Sequence, residues 1–309
     1  MRYSITIPAY KIKFLKECID SVLCQTYTDF ELIILNDCSP EPLKEIVSSF
    51  DDPRIKYYEN ESNKGVVHVV ENWNKLLYLA QGEFIICMGD DDLLMPNALQ
   101  IYNKLLDEYP GYLVYHLRTA LINEDSQITK ILDDKPNVES IYALAASHND
   151  GFFIGNYLFK TCNLRKCGGF VNFPMALASD WATVFLMAKE KGLVHSHEIG
   201  FLYRVNQYTI TSSGNSKIQA EANLKYEEWL KNFFLEPTNN KIDEFYRTWF
   251  LANLHTHLSS GRGYFLAKDL SDTCWMSLFF WLRNRKKYGL NWKIFFVAII
   301  RSFSYKMSL

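Results

Sequence analysis

Phe84-Ile85-Ile86-Cys87-Met88-Gly89-Asp90-Asp91-Asp92 is the stretch that decides how this chain is read. Its apolar half is short, contiguous and ends at a glycine, which gives it the length and content of a buried strand. Its acidic half places three neighbouring carboxylates directly after that strand, where they repel one another unless a cation sits among them. A hard divalent ion, Mg²⁺ or Mn²⁺, is the natural occupant. Such an ion keeps few protein ligands and takes the rest from water and phosphate oxygens, so one or two of the three aspartates suffice. Without an ion, the triplet reads as an acidic turn leading into the helix that starts near Pro96.

Working outward, strand-like and helix-like segments alternate on the N-terminal side. Tyr3 to Ile7, Phe30 to Leu35 and Ile55 to Tyr58 read as strands, with helices over Phe14 to Leu23, Pro42 to Phe50 and Val66 to Ala80. The alternation predicts an α/β fold with a mostly parallel sheet flanked by helices. Ligands of such sheets gather beyond the carboxyl ends of the strands, so the residues after Ile7, Leu35 and Met88 are where chemistry is expected. Two of those three places carry aspartate: Asp37 after the second strand and Asp90 to Asp92 after the fourth. On its own, Asn36-Asp37-Cys38-Ser39 is an Asx turn; beside a nucleotide, the Asp37 carboxylate can accept hydrogen bonds from a base or a ribose hydroxyl.

On the C-terminal side a helix runs from Pro96 to about Tyr109 and a strand from Tyr112 to Leu117. Asn123 to Val138 reads as a loop or small hairpin, and a helix covers about Asp180 to Lys191. Thr209 to Ser216 is rich in Ser, Thr, Gly and Asn and marks a boundary. The division expected is 1–212 as one domain, with halves 1–115 and 116–212, followed by a helical region over 213–309.

The 309 residues are 48% hydrophobic with a net charge of −2, enough for a sizeable core and no general reason to expect a nucleic-acid partner. Charge is unevenly spread. Met1 to Gln100 carries 9 basic and 16 acidic residues, and Gly261 to Leu309 carries 9 basic and 2 acidic. Seven irregularly spaced cysteines point to free thiols in a reducing compartment. The opening run before Pro8 is too brief for an export signal, and Ile294 to Ile300 is too short to span a bilayer. His195, His197, His255 and His257 lack partners at zinc-like spacing and read as solvated or packing residues.

Taken in order, these motifs resemble the family 2 glycosyltransferases of the GT-A fold. The series is Ile7-Pro8-Ala9-Tyr10; Ser21-Val22-Leu23-Cys24-Gln25; Phe30 to Ser39; Asn63-Lys64-Gly65 before a long helix; and Gly82 onward into Asp90-Asp91-Asp92 and Pro96. Lys11 stands where relatives have Asn, and Gly89 where many have Asp. The resemblance implies an inverting transfer of a sugar from a nucleotide-sugar donor to a saccharide or lipid-linked saccharide acceptor, in surface polysaccharide synthesis, with Mg²⁺ or Mn²⁺ as cofactor. It implies that residues 1–115 bind the nucleotide and 116–212 the acceptor. Carried over position by position, Pro8, Ala9, Tyr10, Asp37, Asn63, Lys64 and Asp90 surround the nucleotide-sugar, and Asp91 and Asp92 serve the metal. Gly168-Gly169-Phe170 followed by Ala178-Ser179-Asp180-Trp181 makes Asp180 the catalytic base, with Ser179 in place of the usual Glu. Arg204 matches a segment that closes over the donor diphosphate, its alternative being a buried structural arginine.

Two other functions fit less of the sequence. A nucleotidyltransferase needs a glycine-rich phosphate loop after the first strand, and Tyr10-Lys11-Ile12-Lys13 has no glycine. A nucleotide-sugar-binding module without activity is left open by Gly89 and Ser179. At the far end, Trp275 to Leu282, the bases Arg283 to Lys287, and Trp292 to Phe296 combine aromatics with positive charge. The combination suits a helix lying on an anionic membrane surface, with packing on the catalytic domain or a homodimer contact as the alternative. The expected location is cytoplasmic, peripheral at the inner face of the plasma membrane.

Overall fold

The computed structural model describes residues 1–147, 152–206 and 215–305. Its first part runs β1 (Tyr3–Ala9), α1 (Leu15–Leu23), β2 (Phe30–Asn36), α2 (Leu43–Ser48), β3 (Ile55–Glu59), α3 (Val69–Leu79) and β4 (Phe84–Cys87). These four strands pair in parallel in the order β3-β2-β1-β4. Strand β2 shows why: Ile33 and Leu35 enter the core on one face while Leu32 and Ile34 enter the core on the other. A strand apolar on both faces needs cover on both, which parallel crossovers through helices supply. Helix α3 contributes through Val70, Trp73, Leu76 and Leu77, spaced along one side.

Register fixes the site. Ala9 lies opposite Asn36, Asn36 opposite Glu59, and Thr6 opposite Cys87. The chain therefore leaves β1, β2 and β4 at one edge of the sheet, bringing Tyr10, Asp37 and the Gly89 to Asp92 turn to the same side.

The second part contains β5 (Leu93–Leu94), α4 (Ala98–Glu108), β6 (Val114–Ile122), β7 (Ile128–Ile131), β8 (Val138–Glu139), α5 (Ile141–Ala146), β9 (Tyr157–Lys160), α6 (Thr161–Lys166), α7 (Ser179–Ala188) and β10 (Leu193–Arg204). The sheet continues β4-β9-β6-β10-β5, with β7 on β6 and β8 on β10. Here the mostly parallel expectation needs correcting. Strand β9 runs antiparallel to both neighbours, and β5, β7 and β8 are antiparallel too, so the whole sheet is mixed. Residues 123–138 form the hairpin that was one of their two readings.

Four helices follow among the described residues: α8 (Ser216–Phe233), α9 (Lys241–Asp272), α10 (Leu278–Asn284) and α11 (Trp292–Tyr305). Asn215 and Asn240 cap the first two, each side-chain oxygen accepting two backbone N–H groups. Phe250, Leu254 and Leu258 of α9 share one core with Tyr226, Leu230, Phe173 and Phe185. The far half of α9 forms a second core with Trp281 and Phe295. The boundary expected at 212/213 lies outside the described residues.

Candidate active site

At the sheet edge, Pro8, Ala9, Tyr10, Asp37, Asn63, Gly65, Val66, Val69, Asn72 and Asp90 enclose a cleft of about 280 Å³. Asp37 is buried at its floor. Its Oδ1 accepts from Asn60 Nδ2 at 2.7 Å and from the Lys64 backbone N–H at 3.0 Å, while Asn63 Nδ2 reaches Oδ2 at 3.2 Å and the Asp37 carbonyl at 2.7 Å. An ionised carboxylate offers about four acceptor positions, so this web fixes the group and leaves capacity for a ligand N–H or O–H. Lys64 takes part through its backbone; its ammonium sits 3.5 Å from Glu71.

The acidic turn is divided in function by its hydrogen bonds. Asp90 Oδ2 accepts from the backbone N–H groups of Tyr10 and Lys11 at 2.8 and 2.9 Å, tying the turn to the end of β1. Burial, then the neighbouring Asp91 charge, pushes the Asp90 carboxyl up to about 6. Asp92 points inward, 5% exposed, with Oδ1 accepting from the Arg204 N–H at 3.0 Å, and burial and Asp91 raise its pKa well above the usual range. Asp91 is half-buried and accepts from Asn206 Nδ2 at 2.7 Å through Oδ2. Gly89 completes the turn: a Cβ there would stand 2.9 Å from Asp91 Oδ1 and 3.1 Å from Asp92 Oδ2. Space around this carboxylate pair is what the glycine preserves.

A second hollow of about 160 Å³ continues from the first, sharing Lys11 and Asp90 and adding Lys13, Phe14, Glu41, Asp91 and Asn206. Lys11 and Lys13 line it beside three carboxylates, with the Lys13 ammonium paired to Glu124, so a diphosphate there needs a cation at Asp91 as well. Among the described residues no three His, Cys, Asp or Glu side chains converge as a metal cage. The donor set fits an ion that leans on one carboxylate, Asp91, and on bound phosphates. Asp92 is buried with Oδ1 holding β10, which makes Asp91 the more open of the two carboxylates expected to serve a metal.

Asp180 stands in the first turn of α7, its Oδ1 accepting from the Trp181 N–H at 2.8 Å. Burial raises its pKa to about 6. The loop before it is shaped by Gly169, at φ +92°, where a Cβ would fall 2.2 Å from Asn74 Oδ1. Ser179, in place of the usual Glu, is wholly buried and accepts the Phe173 N–H at 3.1 Å through Oγ. Met175, Ala176 and Ala178 all have positive φ, so this approach to Asp180 is held in a sparsely populated backbone shape.

Arg204 lies between the acidic turn and α1. It is fully buried, and its guanidinium donates to the carbonyls of Asp91 (2.8 Å) and Asn123 (2.9 Å), to Ser126 Oγ (3.0 Å) and to Glu17 (2.7 Å), with Phe14 4.2 Å beneath. A guanidinium so committed serves the fold first, the buried structural role that was its alternative. Sequence reasoning missed Val66 and Val69 as lining residues, and nothing local to them signals it; Asn206 belongs to the polar segment that follows Tyr203-Arg204. Of the histidines, His195 is buried with Nδ1 3.1 Å from His116 Nδ1, and His197 pairs with Asp134 at 2.8 Å.

A family model described as glycosyl transferase family 2 matches residues 4–163, just over half of the chain. Over 255 residues the chain is 27% identical to the GalNAc(5)-diNAcBac-PP-undecaprenol beta-1,3-glucosyltransferase of Campylobacter jejuni, covering 80% of this chain and 79% of that one. It is 40% identical over 102 residues to Escherichia coli WcaA, named for colanic acid biosynthesis; that match covers 32% of this chain and spans only 36% of the relative. The structure of Staphylococcus aureus TarS residues 1–349 in complex with UDP-GlcNAc superposes with a TM-score of 0.66 at 16% identity, covering 100% of this chain and 92% of that one. Identity that low carries the fold alone, and the fold is GT-A.

Proposed function

The chain belongs to glycosyl transferase family 2, and from that premise we propose that it moves a sugar from a nucleotide-diphosphate sugar to an acceptor hydroxyl, with inversion, in building a cell-surface polysaccharide. The observation that carries this is the shared edge of β1, β2 and β4, which sets a nucleotide-sized cleft with Asp37 in its floor beside a hollow holding Asp91 and two lysines. In this reading the base lies over Asp37, and the diphosphate lies against Lys11, Lys13 and Asp91. Asp180 takes the proton of the acceptor hydroxyl as that oxygen attacks the anomeric carbon from the side away from the diphosphate. A raised pKa suits a base working near neutrality, because the proton it accepts is held more firmly.

Asp91 is the residue that would hold Mg²⁺ or Mn²⁺. The ion, when bound, neutralises charge on the departing phosphate oxygens as a Lewis acid. Asp90 and Asp92 keep the turn in shape around it. The test is a panel of UDP-, GDP-, dTDP- and CMP-sugars with Mn²⁺, read as nucleotide release. Turnover of one of them, lost in Asp180→Asn, supports the assignment; binding without turnover in the wild-type chain favours the inactive module.

The acceptor proposed is a saccharide on a lipid carrier, met at an anionic membrane surface. Support comes from α11, whose Phe295, Ala298 and Ser302 are buried while Trp292, Phe296, Ile300 and Phe303 are each more than half exposed along the other side. Phe279 of α10 is 74% exposed, and Arg283, Lys286, Lys293 and Arg301 are exposed around this apolar stripe. Apolar side chains ringed by bases match an anionic leaflet better than they match water. No helix among the described residues is long and apolar enough to cross a membrane.

A further inference from the structure

We propose that Tyr203 binds the sugar being transferred, its hydroxyl hydrogen-bonding a sugar hydroxyl in the gap between the acidic turn and Asp180. The inference rests on the transferase reading above and gives a role toward the sugar to Tyr203, which stands beside Arg204 in the segment expected to close over the donor. Tyr203 is the penultimate residue of β10, between Leu202, which pairs with Leu93 of β5, and Arg204, whose N–H is held by Asp92. Successive strand residues face opposite sides. Arg204 turns toward α1 and Glu17, so Tyr203 turns the other way, and its ring stacks on Phe153 at 3.7 Å and 10°. Phe152, next in the chain, lies 4.7 Å from Trp181, the neighbour of Asp180.

Tyr203 thus closes a short path from one half of the chemistry to the other. Its ionisation is opposed first by burial and then by the charges of Asp92, Asp91 and Asp180, in keeping with the position that the stack on Phe153 and the Asp92-held Arg204 N–H give the ring. Among the described residues no protein group hydrogen-bonds its hydroxyl, and the residue is half-buried, so the oxygen is open to a ligand. In a displacement where base, acceptor oxygen, anomeric carbon and leaving oxygen lie roughly in line, what fills the space between diphosphate and base is the sugar ring. A polar atom held there by a stacked ring, and not spent on the protein, meets a sugar hydroxyl.

Tyr203→Phe keeps the ring and its stack and removes only the oxygen. Affinities of the wild-type and variant chains for the nucleotide-sugar that turns over, and for its sugar-free nucleoside diphosphate, are measured with Mn²⁺ alongside kcat and KM. Loss of one hydrogen bond to the sugar is expected to weaken nucleotide-sugar binding or turnover so that kcat/KM falls about five-fold or more, with nucleoside diphosphate affinity and Tm unchanged. Equal kcat/KM in both chains, or equal weakening of both ligands, overturns the proposal while leaving the transferase reading intact. Absence of turnover by the wild-type chain on every nucleotide-sugar removes both.

Discussion

In the proposed transfer Asp180 is the base, and its environment makes its behaviour with pH specific. Its carboxyl titrates near 6 in the fold because burial disfavours the charge. A general base must be ionised, so kcat/KM should climb as pH rises through about 6 and level off above it. Asp180→Asn should lower turnover about 10²-fold or more while leaving nucleotide affinity unchanged. The same burial has a stability consequence of opposite use. With the folded pKa above the unfolded one, the ionised carboxyl destabilises the fold, fully above pH 6 and not at all below the ordinary carboxylate range near 4. Asp180→Asn should therefore raise Tm at pH 8, by about 2 °C since the side chain still meets the cleft, and the gain should fade as pH falls toward 4. A variant with wild-type turnover, or a gain that grows on acidification, contradicts the assignment. Asp37, Asp90 and Asp91 could be placed at the sheet edge from the sequence because each lies just beyond a strand. Asp92 and Arg204 were not separable from their neighbours, because which of them is spent on the protein depends on Glu17, Asn123 and β10, all distant in sequence.

Among the elements, the joint held by Arg204 matters most to how the site is built. One guanidinium fastens β10 to α1 through Glu17, to the β6–β7 hairpin through Asn123 and Ser126, and to the acidic turn through the Asp91 carbonyl. Removing it empties a buried position and leaves several part-buried acceptors without a partner. Arg204→Ala should cost about 2 kcal/mol, read as a lower urea midpoint. An unchanged midpoint with a raised donor KM would return Arg204 to the diphosphate. The first four strands and three helices could be read from periodicity because each is apolar on both faces or along one side. The strands of the second half could not. Residues 157–160 make a strand of only four residues, flanked by a turn of helix on each side, and their antiparallel place between β4 and β6 is chosen by tertiary pairing. The twelve residues of β10 are broken by register shifts between His195 and Phe201, which blur their alternation.

At the scale of the molecule, cleft and C-terminal helices are joined by a continuous core, since Phe173 packs in one cluster with Tyr226, Phe250 and Leu254. The exposed stripe on α11 is then a feature of a folded surface, and its charged surround predicts binding that weakens with salt. The intact chain should sediment with vesicles containing anionic lipid at low salt, and Phe296→Ser with Ile300→Ser should reduce the bound fraction several-fold without changing Tm. Undiminished sedimentation of the double variant would assign the stripe elsewhere, and a concentration-dependent dimer lost in that variant would assign it to a second copy. The basic bias of the last fifty residues was visible in the sequence. Which aromatics face outward was not, because burial of Phe295 and exposure of Phe296 are decided by the contact with α9.

The cleft itself is tested most directly by titrating UDP, GDP, dTDP and CMP into the wild-type chain and into Asp91→Ala by calorimetry, with and without Mn²⁺. One nucleotide should bind the wild-type chain, at least ten-fold more tightly with Mn²⁺, and the Mn²⁺-dependent part should vanish in Asp91→Ala while the variant stays folded. Binding that ignores Mn²⁺, or that survives unchanged in Asp91→Ala, would contradict the role given to the acidic turn.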